Sequence, residues 1–369
     1  MIIFRTDASP QIGFGHLTRC RALAQALRQQ GERCGMVGPN FPYMTEYDQR
    51  LFDAWEPLDW AGAESDAVRL AELAWRFGAA TLVLDDYRVD EAYQLALRAT
   101  RLKWLQFEAR TDHPIWAHVV LNASPAYTPD DYVPALCNPE AHLLIGPRYA
   151  VLRHEFAKLE VRAPNRHVRK VLVTFGGGDD RGGILFALST LLPRTSSEIR
   201  FVVVSGLNNP RNAHNIRQIQ LIDSKRVKYE IDPVALPEIF SSCDLAVMAG
   251  GSSTHEAACC GLPMILMTIA DNQTIQAISW ERRGAALNLG ELSAVEPEIL
   301  ASTFAQVLAD VEKKTSMSVA GSELVDGLGA QRVAQSIRGL AEGRSVEREF
   351  RTNAHRLSDH TATVPGNEE

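Results

Sequence analysis

Short apolar runs alternate along the chain with amphipathic segments of helical period. Apolar runs of strand length occupy residues 2–5, 34–37, 81–84, 171–175, 201–204, 245–248 and 263–269. The segment after the first run places Leu17, Cys20, Leu23 and Leu27 at helical spacing, with Gly31 where a helix commonly ends. Continuous apolar runs separated by helices predict parallel strands that are covered on both faces.

The runs form two series, which predicts an α/β protein with two doubly wound, Rossmann-like domains that face each other across a cleft. We place the first domain at residues 1–150 and the second at 151–342, with a charged join near 147–168. Helices are expected to fill most of residues 273–341. Residues 343–369 are polar and offer no apolar face, so we expect them to be disordered.

Composition narrows the class of protein. The chain has 369 residues, and 45 acidic against 38 basic side chains give a formal net charge of −7. This balance lacks the basic footprint of nucleic-acid binding, no apolar run reaches the ~20 residues that span a bilayer, and the start lacks a secretory signal. The six cysteines include no C-x-x-C pair, which argues against zinc and disulfides. We expect a monomeric cytoplasmic protein without metal, cofactor, nucleic-acid or membrane partner.

The first glycine-rich turn, Gly13-Phe14-Gly15-His16, opens the first helix. Its glycines let the backbone approach a ligand, and the helix start offers free N–H groups to an anion. NAD binding is rejected because a dinucleotide fingerprint needs a third glycine where Thr18 stands. Histidine suits proton transfer near neutral pH, so His16 is the candidate general base, with a capping or packing histidine as the alternative.

Two more glycine-rich turns follow strands of the second series. Residues 176–179, Gly-Gly-Gly-Asp, can wrap a phosphate or a sugar, or else form a tight turn in which Asp179 caps a helix. Residues 250–254 crowd two glycines and three hydroxyls at a helix start, which predicts a diphosphate cradle. Glu256 could bind both ribose hydroxyls, or simply be favoured by the helix dipole, while His255 is interpreted as structural.

Polar side chains also end two other strands. Asn272 and Gln273 follow the 263–269 run, and their amides suit a hydroxylated or acetamido sugar. Asp85, Asp86 and Tyr87 follow the 81–84 run on the same rim as His16. Paired carboxylates raise a metal site as an alternative, but no further ligand follows at a suitable spacing.

The opening residues 4–9, Phe-Arg-Thr-Asp-Ala-Ser, with 12–16, Ile-Gly-Phe-Gly-His, and Arg19 resemble the UDP-sugar hydrolases of pseudaminic acid biosynthesis. Residues 84–87, 146–156 and 250–273 continue the likeness, which covers nearly all of residues 1–290. The second half alone is also similar to many GT-B glycosyltransferases.

The resemblance implies a GT-B fold and hydrolysis of UDP-2,4-diacetamido-2,4,6-trideoxy-β-L-altropyranose. His16 would activate water, which would attack the anomeric carbon with inversion and without a metal. The catalytic set so implied is His16, Tyr87, Asn272 and Asp7. Uracil would lie against the backbone near residues 231–236. The turns and the resemblance together give the candidate substrate- and UDP-binding residues Gly13, Gly15, Arg19, Gly176, Gly177, Asp179, Ile231, Gly250, Gly251, Ser252, Ser253, Glu256 and Gln273.

Two departures from the family pattern leave the sugar open. Gly178 and Gly182 stand where the family has Thr or Ser and, further on, Asn, and Asp86 stands where relatives have His. Two other functions also stay open. One is a GT-B glycosyltransferase that uses the same UDP-sugar with a sugar acceptor, and the other is a non-catalytic nucleotide-sugar-binding subunit.

Overall fold

A computed structural model describes residues 1–9, 13–160 and 167–342. Ile12 of the opening motif, part of the predicted join and the predicted disordered tail at 343–369 lie outside the described residues.

The first half of the chain forms one parallel sheet of seven strands in the order β3-β2-β1-β4-β5-β6-β7. The strands are β1 Ile2–Thr6, β2 Cys34–Gly38, β3 Ala54–Pro57, β4 Thr81–Asp85, β5 Lys103–Phe107, β6 Val119–Asn122 and β7 His142–Ile145. The helices are α1 Gly15–Gln29, α2 Glu46–Leu51, α3 Ala63–Arg76, α4 Glu91–Arg98 and α5 Pro129–Tyr132.

The second half forms a parallel sheet of six strands in the order β10-β9-β8-β11-β12-β13. The strands are β8 Lys170–Thr174, β9 Arg200–Ser205, β10 Val227–Ile231, β11 Leu245–Met248, β12 Met264–Thr268 and β13 Ala286–Glu291. The helices are α6 Gly183–Leu191, α7 Asn212–Asp223, α8 Leu236–Ser242, α9 Ser253–Cys259, α10 Thr274–Arg282, α11 Pro297–Ala309, α12 Val311–Leu324 and α13 Gly329–Glu342.

Both sheets are doubly wound, and the apolar runs form their central strands as predicted. β1, β4, β11 and β12 are buried along their whole length, because helices cover both faces of each sheet. Such sheets bind ligands at the carboxyl ends of their strands, so all three glycine-rich turns lie at a ligand-binding edge.

The sequence interpretation missed some strands. β13 interrupts the region expected to be helical at 273–341, because its alternating Ala-Leu-Asn-Leu pattern is only half-buried at the sheet edge. β3, β5, β6, β7 and β10 were not predicted either. They are four or five residues long and include edge strands, whose apolar signal is weak.

The last helix of the described chain packs on the first half. Val333, Ala334 and Ile337 of α13 join the core that contains Phe4 of β1 and Leu23 of α1. The chain thus returns to its first sheet after completing the second. The division near residue 150 stays a proposal, and α13 is the helix of the second segment that lies on the core of the first.

Candidate active site

His16 lies in the first turn of α1, beside the end of β4. β4 pairs with β1, so the residue that ends β4 meets the helix that follows β1. His16 Nδ1 donates a hydrogen bond to Asp85 Oδ1 over 2.6 Å. The Asp85 side chain is buried, with 1% of its surface exposed, and that of His16 is 11% exposed. The contact holds the imidazole in one orientation.

Asp85 stays ionised in this buried place. Burial raises the pKa of its carboxyl, but the charge of Arg19 and the hydrogen bonds from Arg19 and His16 outweigh burial and lower that pKa to about 2. A carboxylate 2.6 Å from Nδ1 requires the proton on that nitrogen. Nε2 of the neutral imidazole is therefore a lone-pair acceptor, which is what a general base needs.

Arg19 completes this cluster one turn further along α1. Its guanidinium donates two hydrogen bonds to the two oxygens of Asp85 and stacks 4.6 Å from the centroid of the Phe107 ring. Its Nη2 lies 3.1 Å from His16 Nδ1. Arg19 thus neutralises the buried Asp85 carboxylate. In the described structure its guanidinium binds Asp85 and is not reserved for a ligand.

Tyr87 and Asp7 lie on the same rim. The Tyr87 ring meets the His16 ring edge-on with 4.6 Å between centroids, and 57% of Tyr87 is exposed. Asp7 follows β1 and accepts a hydrogen bond from Arg88, which also binds Asp86. Three of the four predicted catalytic residues are thus gathered at the carboxyl edge of the first sheet.

The first glycine-rich turn is open around the start of α1. Gly13 has a φ of +90° and donates its N–H to the Ser9 carbonyl over 2.7 Å. Within residues 1–9, 13–160 and 167–342, a Cβ at Gly13 or Gly15 would meet no atom within 4 Å. Gly13 is needed for its left-handed backbone, whereas Gly15 leaves room beside His16.

The turn before α9 offers unpaired backbone donors. Gln276 Nε2 donates to the carbonyls of Gly250 and Gly251 and to Thr254 Oγ1, which fixes the turn from below. In the described part of the chain, the N–H groups of Gly250, Gly251 and Ser252 have no hydrogen-bond acceptor. With Ser253 at the first position of α9, they form the kind of N–H concavity that binds phosphate groups.

Gln273 and Glu256 flank that turn, and Asn272 is exposed at its rim. Gln273 Oε1 accepts the Ile269 N–H over 3.1 Å, which holds its amide beside Gly251. Glu256 is half-buried in the first turn of α9. Burial raises the pKa of Glu256 to about 7, against a smaller lowering by the charge of Arg153.

The glycine-rich turn at residues 176–179 packs closely against neighbouring residues. Gly176 has a φ of +90°, and the backbone of Gly177 packs so closely on Gly206 that a Cβ there would lie 2.2 Å from the Gly177 oxygen. Asp179 is exposed and pairs with Arg211 over 2.7 Å. Ile231 ends β10 with 38% of its surface exposed. The turn at residues 176–179 follows β8, which pairs directly with β11, so it lies next to the Gly250 turn. Ile231 is more distant, because β9 and β8 separate β10 from β11.

Two hydrogen bonds join the halves next to these turns. His255 Nε2 lies 2.9 Å from the Ala123 carbonyl, which follows β6, and Arg283 Nε donates to the Pro125 carbonyl over 2.9 Å. Burial lowers the pKa of His255, and the charge of Arg19 lowers it further. His255 therefore links the start of α9 to the end of β6, at the carboxyl edge of the first sheet.

Sequence reasoning missed three residues that the site depends on. Asp85 was considered as a metal ligand, although the pairing of β1 with β4 makes it the partner of His16. Arg88 was not considered, yet it binds both Asp7 and Asp86. Asp180 is fully buried and accepts hydrogen bonds from Asn209, Asn215 and the Gly182 N–H. The sequence signal available for Asp85 and Asp180 was that each belongs to a pair of adjacent acidic residues, 85–86 and 179–180.

Metal-binding clusters and membrane-spanning helices are both absent from the described residues. Within residues 1–9, 13–160 and 167–342, no group of three or more His, Cys, Asp or Glu side chains is placed to hold a metal ion. Over the same ranges, none of the helices has the length and apolar character needed to cross a bilayer.

No protein-family model matches the chain. Over 345 residues it is 25% identical to the spore coat polysaccharide biosynthesis protein SpsG of Bacillus subtilis, which covers 91% of this chain and 97% of that protein. It is 24% identical over 267 residues to the UDP-2,4-diacetamido-2,4,6-trideoxy-β-L-altropyranose hydrolase of Campylobacter jejuni, covering 69% of this chain and 87% of the hydrolase.

Solved structures match almost the whole chain. The UDP-GlcNAc 2-epimerase of Neisseria meningitidis, bound to UDP-GlcNAc, superposes with a TM-score of 0.62 at 12% identity over 91% of this chain and 99% of the epimerase. The glycosyltransferase of kitacinnamycin gives 0.63 at 17% identity over 91% and 97%. These neighbours confirm the predicted GT-B fold with its two parallel sheets.

Proposed function

We propose that this chain hydrolyses a UDP-sugar at the anomeric carbon and that the substrate is UDP-2,4-diacetamido-2,4,6-trideoxy-β-L-altropyranose. The observation that carries the proposal is the His16–Asp85 contact, which leaves Nε2 of an oriented imidazole as a proton acceptor beside an open glycine turn. The Campylobacter jejuni relative carries the name of this hydrolase, which supports the choice of sugar.

In the proposed reaction, a water molecule gives a proton to His16 Nε2 as its oxygen attacks the anomeric carbon. The bond from that carbon to the β-phosphate oxygen breaks, and the configuration inverts. Asp85 stabilises the imidazolium that forms. The free N–H groups of Gly250, Gly251 and Ser252 receive the charge that develops on the departing UDP.

The remaining candidate residues take binding roles in this proposal. Tyr87, Asp7 and Asn272 contact the sugar, and Gln273 and Ser253 support the diphosphate. Glu256 receives the ribose hydroxyls, and the base lies along the end of β10 at Ile231. Asp179 has the weakest support, because it is already paired with Arg211 on the surface.

The test is UDP release from that UDP-sugar by purified protein, in EDTA and without any acceptor. We expect rapid release of UDP together with free sugar of inverted configuration. UDP binding without release from this sugar would overturn the proposed hydrolysis.

Glycosyl transfer is the second candidate, because the structure places aromatic side chains beside the start of α1. Phe14 and Tyr43 meet edge-on with 5.3 Å between ring centroids, and Phe41 is 58% exposed. Exposed aromatic rings suit the apolar faces of sugars. A transferase would release UDP slowly in water and faster on addition of a carbohydrate acceptor, whereas a hydrolase would not respond to one.

A further inference from the structure

Arg88 is the centre of a charged cluster next to the proposed base. Its Nε and Nη2 donate to Asp86 and its Nη2 donates to Asp7, at 2.9, 2.5 and 2.5 Å. The guanidinium stacks on Trp60 with 4.2 Å to the ring centroid, and Trp60 in turn stacks on Tyr93. We call Arg88, Asp7, Asp86 and Trp60 the Arg88 cluster.

The cluster is rigid and is joined to the site. The Arg88 N–H donates to Asp86 Oδ1 over 2.9 Å, and Asp7 Oδ1 accepts the Ala8 N–H over 3.2 Å. The residue before Arg88 is Tyr87, whose ring contacts His16. The Arg88 cluster therefore follows directly on the Tyr87 ring that lies against the proposed base.

The cluster offers one donor group and one acceptor group to a ligand. Among the described residues, Arg88 Nη1 has no acceptor, and 34% of the Arg88 side chain is exposed. The Asp7 side chain is 21% exposed, and each carboxylate oxygen, having taken one donor, keeps a lone pair. The protein thus uses Nε and Nη2 of the guanidinium and leaves Nη1 to solvent.

The charge of the cluster selects among ligands. One guanidinium and two carboxylates carry a net charge of −1, so a carboxylate or phosphate group would meet a site of its own sign. A neutral group with a carbonyl oxygen and an N–H side by side matches the Nη1 donor and the Asp7 acceptor. A secondary amide is such a group.

We propose that the Arg88 cluster binds one acetamido group of the sugar, with Nη1 donating to the amide oxygen and Asp7 accepting the amide N–H. This inference rests on the proposed function and deepens it, because it assigns the recognition of an N-acetyl substituent to residues that lie outside the proposed bond-breaking step. Arg88 is then a specificity-determining residue.

The test measures UDP release by the full chain carrying Arg88→Met, from the diacetamido UDP-sugar and from an analogue with hydroxyls in place of both acetamido groups. We expect KM for the diacetamido sugar to rise about 10- to 100-fold, the loss of a hydrogen bond to a charged group. KM for the analogue and the inhibition constant of UDP are expected to stay within about threefold of the parent's.

Arg76→Met is the matched control, since Arg76 also pairs with a carboxylate and stacks on a ring, but is exposed in the last turn of α3. Arg88→Lys keeps a positive charge between Asp7 and Asp86, so the two carboxylates do not repel each other in this variant. It lacks the guanidinium, and it is therefore expected to raise KM for the diacetamido sugar as Arg88→Met does. Equal loss for both sugars, or no loss for either, overturns the inference while the proposed hydrolysis stands. A parent that releases no UDP overturns both.

Discussion

The carboxyl edges of the two sheets differ in the kind of polar group that they present. At the first edge, Asp7, Asp85 and Asp86 face Arg19 and Arg88, and these five side chains carry a net charge of −1. At the second edge, residues 250–253 present uncharged N–H groups and hydroxyls.

This difference gives the two halves of the chain different roles in the proposed reaction. A diphosphate would be repelled by the carboxylates of the first edge and attracted by the free N–H groups of the second. A neutral sugar can approach the first edge, where charged side chains already hold one another in place. Chemistry is therefore assigned to the first half and anion binding to the second.

Replacement of His16 by Asn should have the largest effect on turnover. The variant lacks the proton acceptor at Nε2, so we expect UDP release to fall by about 10²–10⁴-fold. UDP binding, measured by calorimetry, should be retained because the proposed UDP site is in the other half. Normal turnover at saturation combined with lost UDP affinity would reverse the division of roles.

Asp85→Asn should lower kcat by up to the same order while KM changes little. An Asn amide can donate to Nδ1 and place the imidazole proton on Nε2, which removes the acceptor. Arg19 also loses its buried partner, which costs about 3–5 kcal/mol in such pairs. The thermal unfolding of the Asp85→Asn protein should therefore be measured together with its kinetics.

Two further variants make the Asp85 experiment decisive. Asp85→Glu keeps the charge and is expected to restore part of kcat. Asp53→Asn is the control, because Asp53 pairs with Arg28 on the surface. A folded Asp85→Asn protein with the parent's kcat would show that His16 does not need this orientation.

Gly251→Ala tests the second edge with a smaller change. A Cβ at Gly251 would lie 3.6 Å from Gln273 Nε2, an ordinary contact, so the fold should tolerate the methyl group. We expect it to narrow the diphosphate cradle and weaken UDP binding by about tenfold, near 1.4 kcal/mol, with kcat unchanged. Reduced kcat with unchanged UDP affinity would argue against the cradle.

The sequence reveals the strands and the turns because their signals are local. Apolar runs such as 245–248 mark buried strands, and glycines before a helix mark turns at a ligand-binding edge. The partnership of His16 with Asp85 is not local, because the two residues are 69 positions apart in the sequence. They meet only because β4 lies next to β1. The same holds for Asp7 with Arg88, 81 residues apart.

The sequence also does not show which distant parts of the chain pack together. α13 has a regular amphipathic pattern, but the pattern does not say which sheet its apolar face covers. Arg5 ends the buried run 2–5, and it can be fully buried because Asp66 and the Thr6 carbonyl satisfy its guanidinium. Charged residues can be buried only where distant partners meet them, and a single sequence does not supply those partners.

The smallest expected effect concerns stability and comes from Glu256 in the second half. Burial raises the pKa of this carboxyl from 4.5 to about 7, so the folded chain holds a proton that the unfolded chain releases earlier. The free energy of unfolding, compared with that of Glu256→Gln, should therefore fall as pH rises from about 4.5 to 7 and then level off, by on the order of 2 kcal/mol.

Urea unfolding at pH 4.5, 6 and 8 measures this Glu256 difference, with Glu298→Gln as the control because Glu298 also lies in the first turn of a helix but is exposed. A parallel pH course for the parent and Glu256→Gln would mean that Glu256 is solvated in the folded protein. Addition of UDP separates stability from binding, since a ribose that donates its hydroxyls to an ionised Glu256 should stabilise the parent more than the Gln variant at pH 8.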